Sequence, residues 1–142
     1  MKFNCDIHIL KPIEVVAACF EAPEALKYSQ KGFVKIEHLS GEKGQAGSKS
    51  KLIYKKFDLL ETIIENNLPH SFYARYEHKN MSNTMLCNFV AINDCETRLT
   101  SEIEYTELKG FVVKLIAKLF PSLFKKQVDK WLERFKDFCE QR

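Results

Sequence analysis

The chain has 142 residues, 45% of them hydrophobic and 29% charged, and its 22 basic and 19 acidic side chains leave a net charge of +3. A chain of this size buries roughly two thirds of its unfolded surface, so we expect one domain over residues 1–142. The composition excludes a disordered chain. The small net charge argues against a nucleic-acid partner, and none is predicted.

The cysteine and histidine content favours a reducing compartment and no metal site. Five cysteines are an odd number without a C-x-x-C pair, which is typical of reduced thiols rather than of a disulfide framework. The four histidines are scattered, so we predict neither a metal nor a cofactor. No segment reaches the ~18 apolar residues of a membrane span, and polar residues near the start argue against a signal peptide. We expect a cytoplasmic protein.

The first two thirds of the chain predict strands with two short helices near the start. Apolar residues at every second position from Phe3 to Ile9 indicate a half-buried strand. Pro12 suits the first turn of a helix, and short helices follow at 13–20 and 23–28. Short gaps between the later strands favour antiparallel hairpins. Those strands are predicted at 33–40, 48–54, 57–67, 71–78, 84–92 and 97–105.

The last segment predicts one long amphipathic helix over residues 110–140. Its apolar residues recur at steps of three and four, and the pattern continues in phase through Pro121, where we expect only a kink. A helix of this length spans ~45 Å, so the sheet has to curve around it to bury both apolar faces. The apolar positions are Val113, Ala117, Phe120, Phe124, Val128, Trp131, Phe135 and Phe138.

The order of these elements, with five short segments, carries a family resemblance. The segments are 11–16 and 20–26 around the two short helices, the glycine turn 44–47, the strand-to-proline segment 60–69 and the strand start 97–100. Together they resemble the START/polyketide-cyclase (SRPBCC) superfamily, whose helix-grip fold is shared with the birch-pollen allergens. The resemblance implies an α+β fold in which a seven-stranded curved antiparallel sheet wraps the long C-terminal helix around an apolar cavity.

The strand alternation then predicts which side chains line that cavity. An even-length turn after Ile92 pairs Asn88 with Ser101 on the inner face. In the strand 71–78 we favour the face of Tyr76, because Arg75 on the other face would need a buried partner. Phe120 and Phe124 are expected beside the kink of the helix, with Trp131 and Phe135 at the closed end. The predicted ligand-binding residues are Leu52, Tyr54, Leu60, Ile64, Tyr76, Leu86, Asn88, Val90, Ser101, Ile103, Tyr105, Val113, Phe120 and Phe124.

The predicted function is binding or carriage of a hydrophobic small molecule, lipid or polyketide-like, without catalysis. The alternative is a cyclase, dehydratase or hydrolase using the same cavity, which would require a general acid or base. Among Glu61, His78 and Tyr105, only Tyr105 falls on a face predicted to point inward, so it is the one weak catalytic candidate.

Three apolar residues, Phe111, Leu115 and Leu119, fall on the lysine-bearing side of the last helix. Exposed apolar side chains in such a series usually mark a contact. In order of preference, this ridge could close over the cavity beneath the loop 42–47, contact a second subunit, or dock on an anionic membrane surface as an adaptor. The chain is therefore expected to be a monomer or a homodimer.

Overall fold

The computed structural model describes residues 1–142 and contains seven strands and four helices. The strands are β1 Lys2–Ile9, β2 Phe33–Ser40, β3 Lys49–Tyr54, β4 Asp58–Asn67, β5 Ser71–His78, β6 Met81–Asn93 and β7 Glu96–Leu108. The helices are α1 Ile13–Glu21, α2 Pro23–Ser29, α3 Phe111–Leu119 and α4 Ser122–Glu140.

All seven strands form one antiparallel sheet in the order β1-β7-β6-β5-β4-β3-β2. The two edge strands, β1 and β2, are joined in sequence by α1 and α2. The long helix α4 packs against β1 and α2 and buries one side, formed by Val128, Leu132, Phe135 and Cys139. This arrangement confirms the predicted helix-grip architecture.

The pairing of β6 with β7 differs from the predicted register by one residue. A β-bulge at Ile92 separates the pairs Ala91–Thr97 and Asn93–Glu96, so that Cys87 rather than Asn88 lies opposite Ser101. A slip of one residue moves every side chain of a strand to the other face of the sheet. The prediction for this strand was therefore wrong, and its outward-facing residues are Leu86, Asn88 and Val90, the last 57% exposed.

The C-terminal segment is two helices rather than one kinked helix. α3 ends at Leu119, and Phe120 adopts φ −134° and ψ 57°, outside the helical region. The ring of Pro121 disfavours helical backbone at the residue before it and supplies no N–H for the helix ladder. α4 then begins at Ser122, and the in-phase apolar pattern does not by itself keep the two halves continuous.

Candidate functional site

A cavity of about 520 Å³ lies between the sheet and the helices α1, α2 and α4. Its wall comprises 31 residues, 20 of them hydrophobic, from the three helices, the strands β2 to β7 and neighbouring loops. This volume is within the range of small-molecule sites, which are apolar for the most part and carry a few polar groups.

The apolar part of the wall has two sides. On the sheet, Ile63, Met85 and Ile103 belong to one row of residues that runs across β4 to β7. Facing them, α4 presents side chains one and two turns apart, which is the spacing of one helix face. These α4 residues are Val128, Trp131, Leu132 and Phe135.

A row of polar residues crosses the sheet beside the apolar row. Successive strands place one member each opposite the next, through the pairs Ser50–Glu61, Glu61–Tyr76, Tyr76–Asn83 and Asn83–Tyr105. All five residues line the cavity. We call this set the polar row, and it gives an otherwise apolar wall one band able to form hydrogen bonds.

The centre of the polar row is a carboxyl group next to a phenol. The Tyr76 hydroxyl donates a hydrogen bond of 2.8 Å to Glu61 Oε2. Burial raises the pKa of the Glu61 carboxyl, and the hydrogen bond from Tyr76 opposes that rise in part. Burial also raises the pKa of the Tyr76 phenol, and the neighbouring Glu61 charge raises it further. No lysine or arginine forms a salt bridge with Glu61.

Two further phenols contribute to the wall. The Tyr54 hydroxyl donates a hydrogen bond to Gln30 Oε1, and burial raises the pKa of Tyr54. Burial also raises the pKa of Tyr105 to about 12, and the Tyr105 ring packs edge-on against Phe124 at 5.0 Å. Both phenols are therefore neutral hydrogen-bonding groups near neutral pH.

The loop between β2 and β3 forms part of the wall through Lys43 and Gly44. It is tied to β4, since Asn66 Nδ2 donates to the Gly44 carbonyl at 2.6 Å and the Gly47 N–H donates to the Ile63 carbonyl at 2.7 Å. The loop closes tightly at Gly41, whose φ is +78° and where a Cβ atom would lie 2.9 Å from the Cα atom of Ser48, the residue before β3. The loop is held in position by these contacts.

Six of the fourteen predicted ligand-binding residues line the cavity: Leu52, Tyr54, Tyr76, Ser101, Ile103 and Tyr105. Eight do not: Leu60, Ile64, Leu86, Asn88, Val90, Val113, Phe120 and Phe124. The three on β6 are misplaced by the bulge described above. Val113 lies in α3, which contributes nothing to the wall, while Phe120 is 56% exposed and Phe124 packs behind Tyr105.

The residue pattern of β4 explains why Glu61 was not predicted to line the cavity. Apolar residues occur on both faces of this strand, and the prediction chose the face of Leu60 and Ile64. The structure turns Leu59, Glu61 and Ile63 to the cavity instead. The alternative apolar spacing, Leu59 to Ile63, was the signal that could have found Glu61.

Other residues were also compared with their predicted positions. His78 lies outside the cavity wall, as predicted, whereas Trp131 and Phe135, predicted at the closed end, line the cavity. Met85 was missed because of the register error on β6. Gln30 was missed because its exposure to the cavity depends on how the helices pack and not on a local sequence pattern.

Helix α3 contains no buried residue, and Phe111 is 78% exposed. The loop 42–47 reaches the cavity without it, so the prediction that Phe111, Leu115 and Leu119 lie beneath that loop was wrong. None of the helices combines the length and hydropathy of a membrane span.

Comparison with known proteins rests on structure. No family model matches the sequence, and no curated protein matches it. Among solved structures, a conserved protein from Geobacillus kaustophilus is similar with a TM-score of 0.77 and 18% identity, covering 99% of this chain and 96% of that one. The Zhui aromatase/cyclase from Streptomyces sp. R1128 has a TM-score of 0.81 at 8% identity, covering 100% and 94%. Ara h 8.0201 has a TM-score of 0.75 at 13% identity, covering 100% and 99%. The chain thus has the helix-grip fold that these solved structures share.

Proposed function

We propose that this protein binds or carries a hydrophobic small molecule, lipid or polyketide-like, in the internal cavity and does so without catalysis. The observation that carries the proposal is the 520 Å³ of space between α4 and the sheet, with 20 hydrophobic residues in its wall. Burial of apolar surface contributes ~25 cal/mol per Å², so a ligand that buries a few hundred Å² would gain several kcal/mol without any charged contact.

The groups available for chemistry support binding over turnover. Tyr105, the one predicted catalytic candidate, has a hydroxyl with no hydrogen-bond partner in the protein, and its pKa of about 12 keeps it protonated. A phenol without an adjacent base is a poor proton acceptor. The cyclase, dehydratase or hydrolase alternative would rely on Glu61 acting across the polar row, and a measured turnover abolished by both Glu61→Gln and Tyr105→Phe would favour it.

A titration with a neutral fluorescent dye such as Nile red tests the proposal. Met85→Trp adds bulk to the cavity wall, whereas Leu86→Trp places the same ring on the outer face of the same strand. We expect saturable uptake at one site in the wild type and in Leu86→Trp. Met85→Trp should weaken uptake at least tenfold. Absence of saturable uptake by the wild type, or equal uptake by both variants, would contradict the proposal.

A second candidate function is favoured by α3. Its exposed apolar residues continue into the start of α4, and the segment 109–128 carries five lysines and no acidic residue. An apolar helix face flanked by lysines fits an anionic bilayer surface, where apolar burial and charge attraction act together. The exposed residues are Phe111, Val112, Leu115, Ile116, Leu119, Phe120 and Leu123.

Vesicle sedimentation tests this docking role. We expect binding to vesicles of phosphatidylserine and phosphatidylcholine, weaker binding to phosphatidylcholine alone, and loss of binding with Leu115→Asp. Leu39→Asp changes an exposed apolar residue on β2, 51% exposed against 41% for Leu115, and should leave binding unchanged. If Leu115→Asp instead converts a dimer to a monomer in light scattering and leaves sedimentation unaltered, α3 is a subunit interface and not a membrane surface.

A further inference from the structure

One carboxyl group in the cavity wall, that of Glu61, forms no ion pair with a basic side chain. Three charged residues contribute to the wall: Glu21, Lys43 and Glu61. Glu21 and Lys43 are solvent-exposed, whereas Glu61 lies in the interior of the sheet, on the strand β4 between β3 and β5. A carboxylate in apolar surroundings is costly unless it is paired or hydrogen-bonded.

The hydrogen bonds of Glu61 satisfy only part of that carboxyl group. Oε2 accepts from the Tyr76 hydroxyl, while Oε1 has no protein partner and is accessible from the cavity. Because the Tyr76 phenol donates, Glu61 acts as the acceptor of the pair, which favours its ionised form against the effect of burial. The free oxygen is thus an acceptor directed to whatever occupies the cavity.

The remaining members of the polar row do not supply a cation. Ser50, Tyr76, Asn83 and Tyr105 have neutral side chains, so none of them supplies a positive charge. A ligand carboxylate at this point would face Glu61 with no lysine or arginine between them, so like-charge repulsion would select against it. A ligand ammonium would instead complete a charge-assisted hydrogen bond with Oε1.

We propose that the ligand class of this cavity is an amphipathic amine, whose protonated nitrogen binds Glu61 and whose apolar body lies between the sheet and α4. The inference rests on the proposed binding function and adds to it the chemistry of the ligand's polar end. The apolar body would contact Ile63, Met85 and Ile103 on the sheet and Leu132 on α4.

Competition between three ligands of equal chain length tests the proposal. Decylamine, decanol and decanoic acid, each below its aggregation concentration, would displace Nile red from the wild-type protein near neutral pH. We expect decylamine to compete at least tenfold better than decanol, and decanoic acid to compete worst. Amine competition should weaken as the pH falls and Glu61 becomes protonated, while decanol competition stays constant.

Two variants test whether Glu61 is responsible for the preference for decylamine over decanol. Glu61→Gln keeps the shape of the side chain and should bring decylamine and decanol within about threefold of each other, without loss of decanol competition. Glu65→Gln changes an exposed carboxyl on the same strand, outside the cavity wall, and should behave as the wild type. Decanol binding with no amine preference, or an amine preference that survives Glu61→Gln, would overturn the inference while leaving the binding function intact. Failure of Nile red and of all three ligands to bind would contradict both.

Discussion

At one end of the sheet, β1, α1 and the last turns of α4 close on one another, and Ile9, Val16 and Cys139 have no accessible surface. At the other end, β3, β4 and β5 turn Leu52, Glu61 and other inward side chains toward open space. Both ends use the same alternation of strand residues. The two ends differ in the helix that packs over the strands. The last turns of α4 pack directly on the closed end, whereas no residue of α3 reaches the cavity. An inward-facing pattern thus produces either a core or a binding site, depending on the reach of the helix opposite.

The largest loss of folding stability is expected for a truncation at the closed end. Ile9→Ala removes a fully buried side chain and should lower the free energy of unfolding by ~2–5 kcal/mol, since tightly packed neighbours collapse only in part into the space left. Chemical denaturation measures the loss, with Ile9→Val as the milder control at ~0.5–1.5 kcal/mol. Dye affinity at a temperature where the variant is folded should not change. A loss below that of Ile9→Val would show that this end is not close-packed.

At the cavity end the same kind of truncation should cost less. Leu52 is buried but borders the open volume, so part of its surface has no packing partner to lose. We expect Leu52→Ala to lower the free energy of unfolding by about 1–2 kcal/mol. A loss equal to that of Ile9→Ala would contradict the contrast between the two ends. Saturating dye, which binds the folded state, should raise the free energy of unfolding of both Leu52→Ala and Ile9→Ala.

The pH dependence of stability in Glu61→Gln tests the cavity end of the sheet. Burial raises the folded-state pKa of this carboxyl above its ordinary 4.5, so the folded protein binds more protons than the unfolded chain over the interval between the two values. Stability therefore falls as the pH rises through that interval. We expect Glu61→Gln to unfold at higher denaturant than the wild type at about pH 8, with the difference shrinking toward about pH 4. A pH-independent difference would mean that Glu61 is not shielded from solvent.

Tyr105→Phe should have the smallest effect. Its hydroxyl makes no hydrogen bond within the protein, and its ring contacts with Phe3 and Phe124 survive the change. We expect a change in the free energy of unfolding below about 1 kcal/mol and a change in dye affinity below about threefold. A larger loss of dye affinity would assign the phenol a direct role in ligand binding.

Sequence predicted the fold well, because strand alternation, the proline before α1 and the amphipathic last segment each follow from local periodicity. It predicted the inward faces of β5 and β7, where only one face of each strand carries a plausible set of apolar residues. It failed at β6, since the bulge at Ile92 has no mark in the sequence, and at β4, since both faces carry apolar pairs. The break at Pro121 was foreseen only as a kink. The amount of space left between α4 and the curved sheet depends on packing between distant elements, which no local pattern encodes.

Methyl NMR during titration with decanol tests the central claim most directly. If the ligand enters the cavity, saturable shifts should appear at Leu52, Ile63, Ile103 and Val128, while Ile9 and Val16 at the closed end remain unchanged. Shifts confined to the exposed methyl groups of α3, or no saturable shift at any lining residue, would contradict the account.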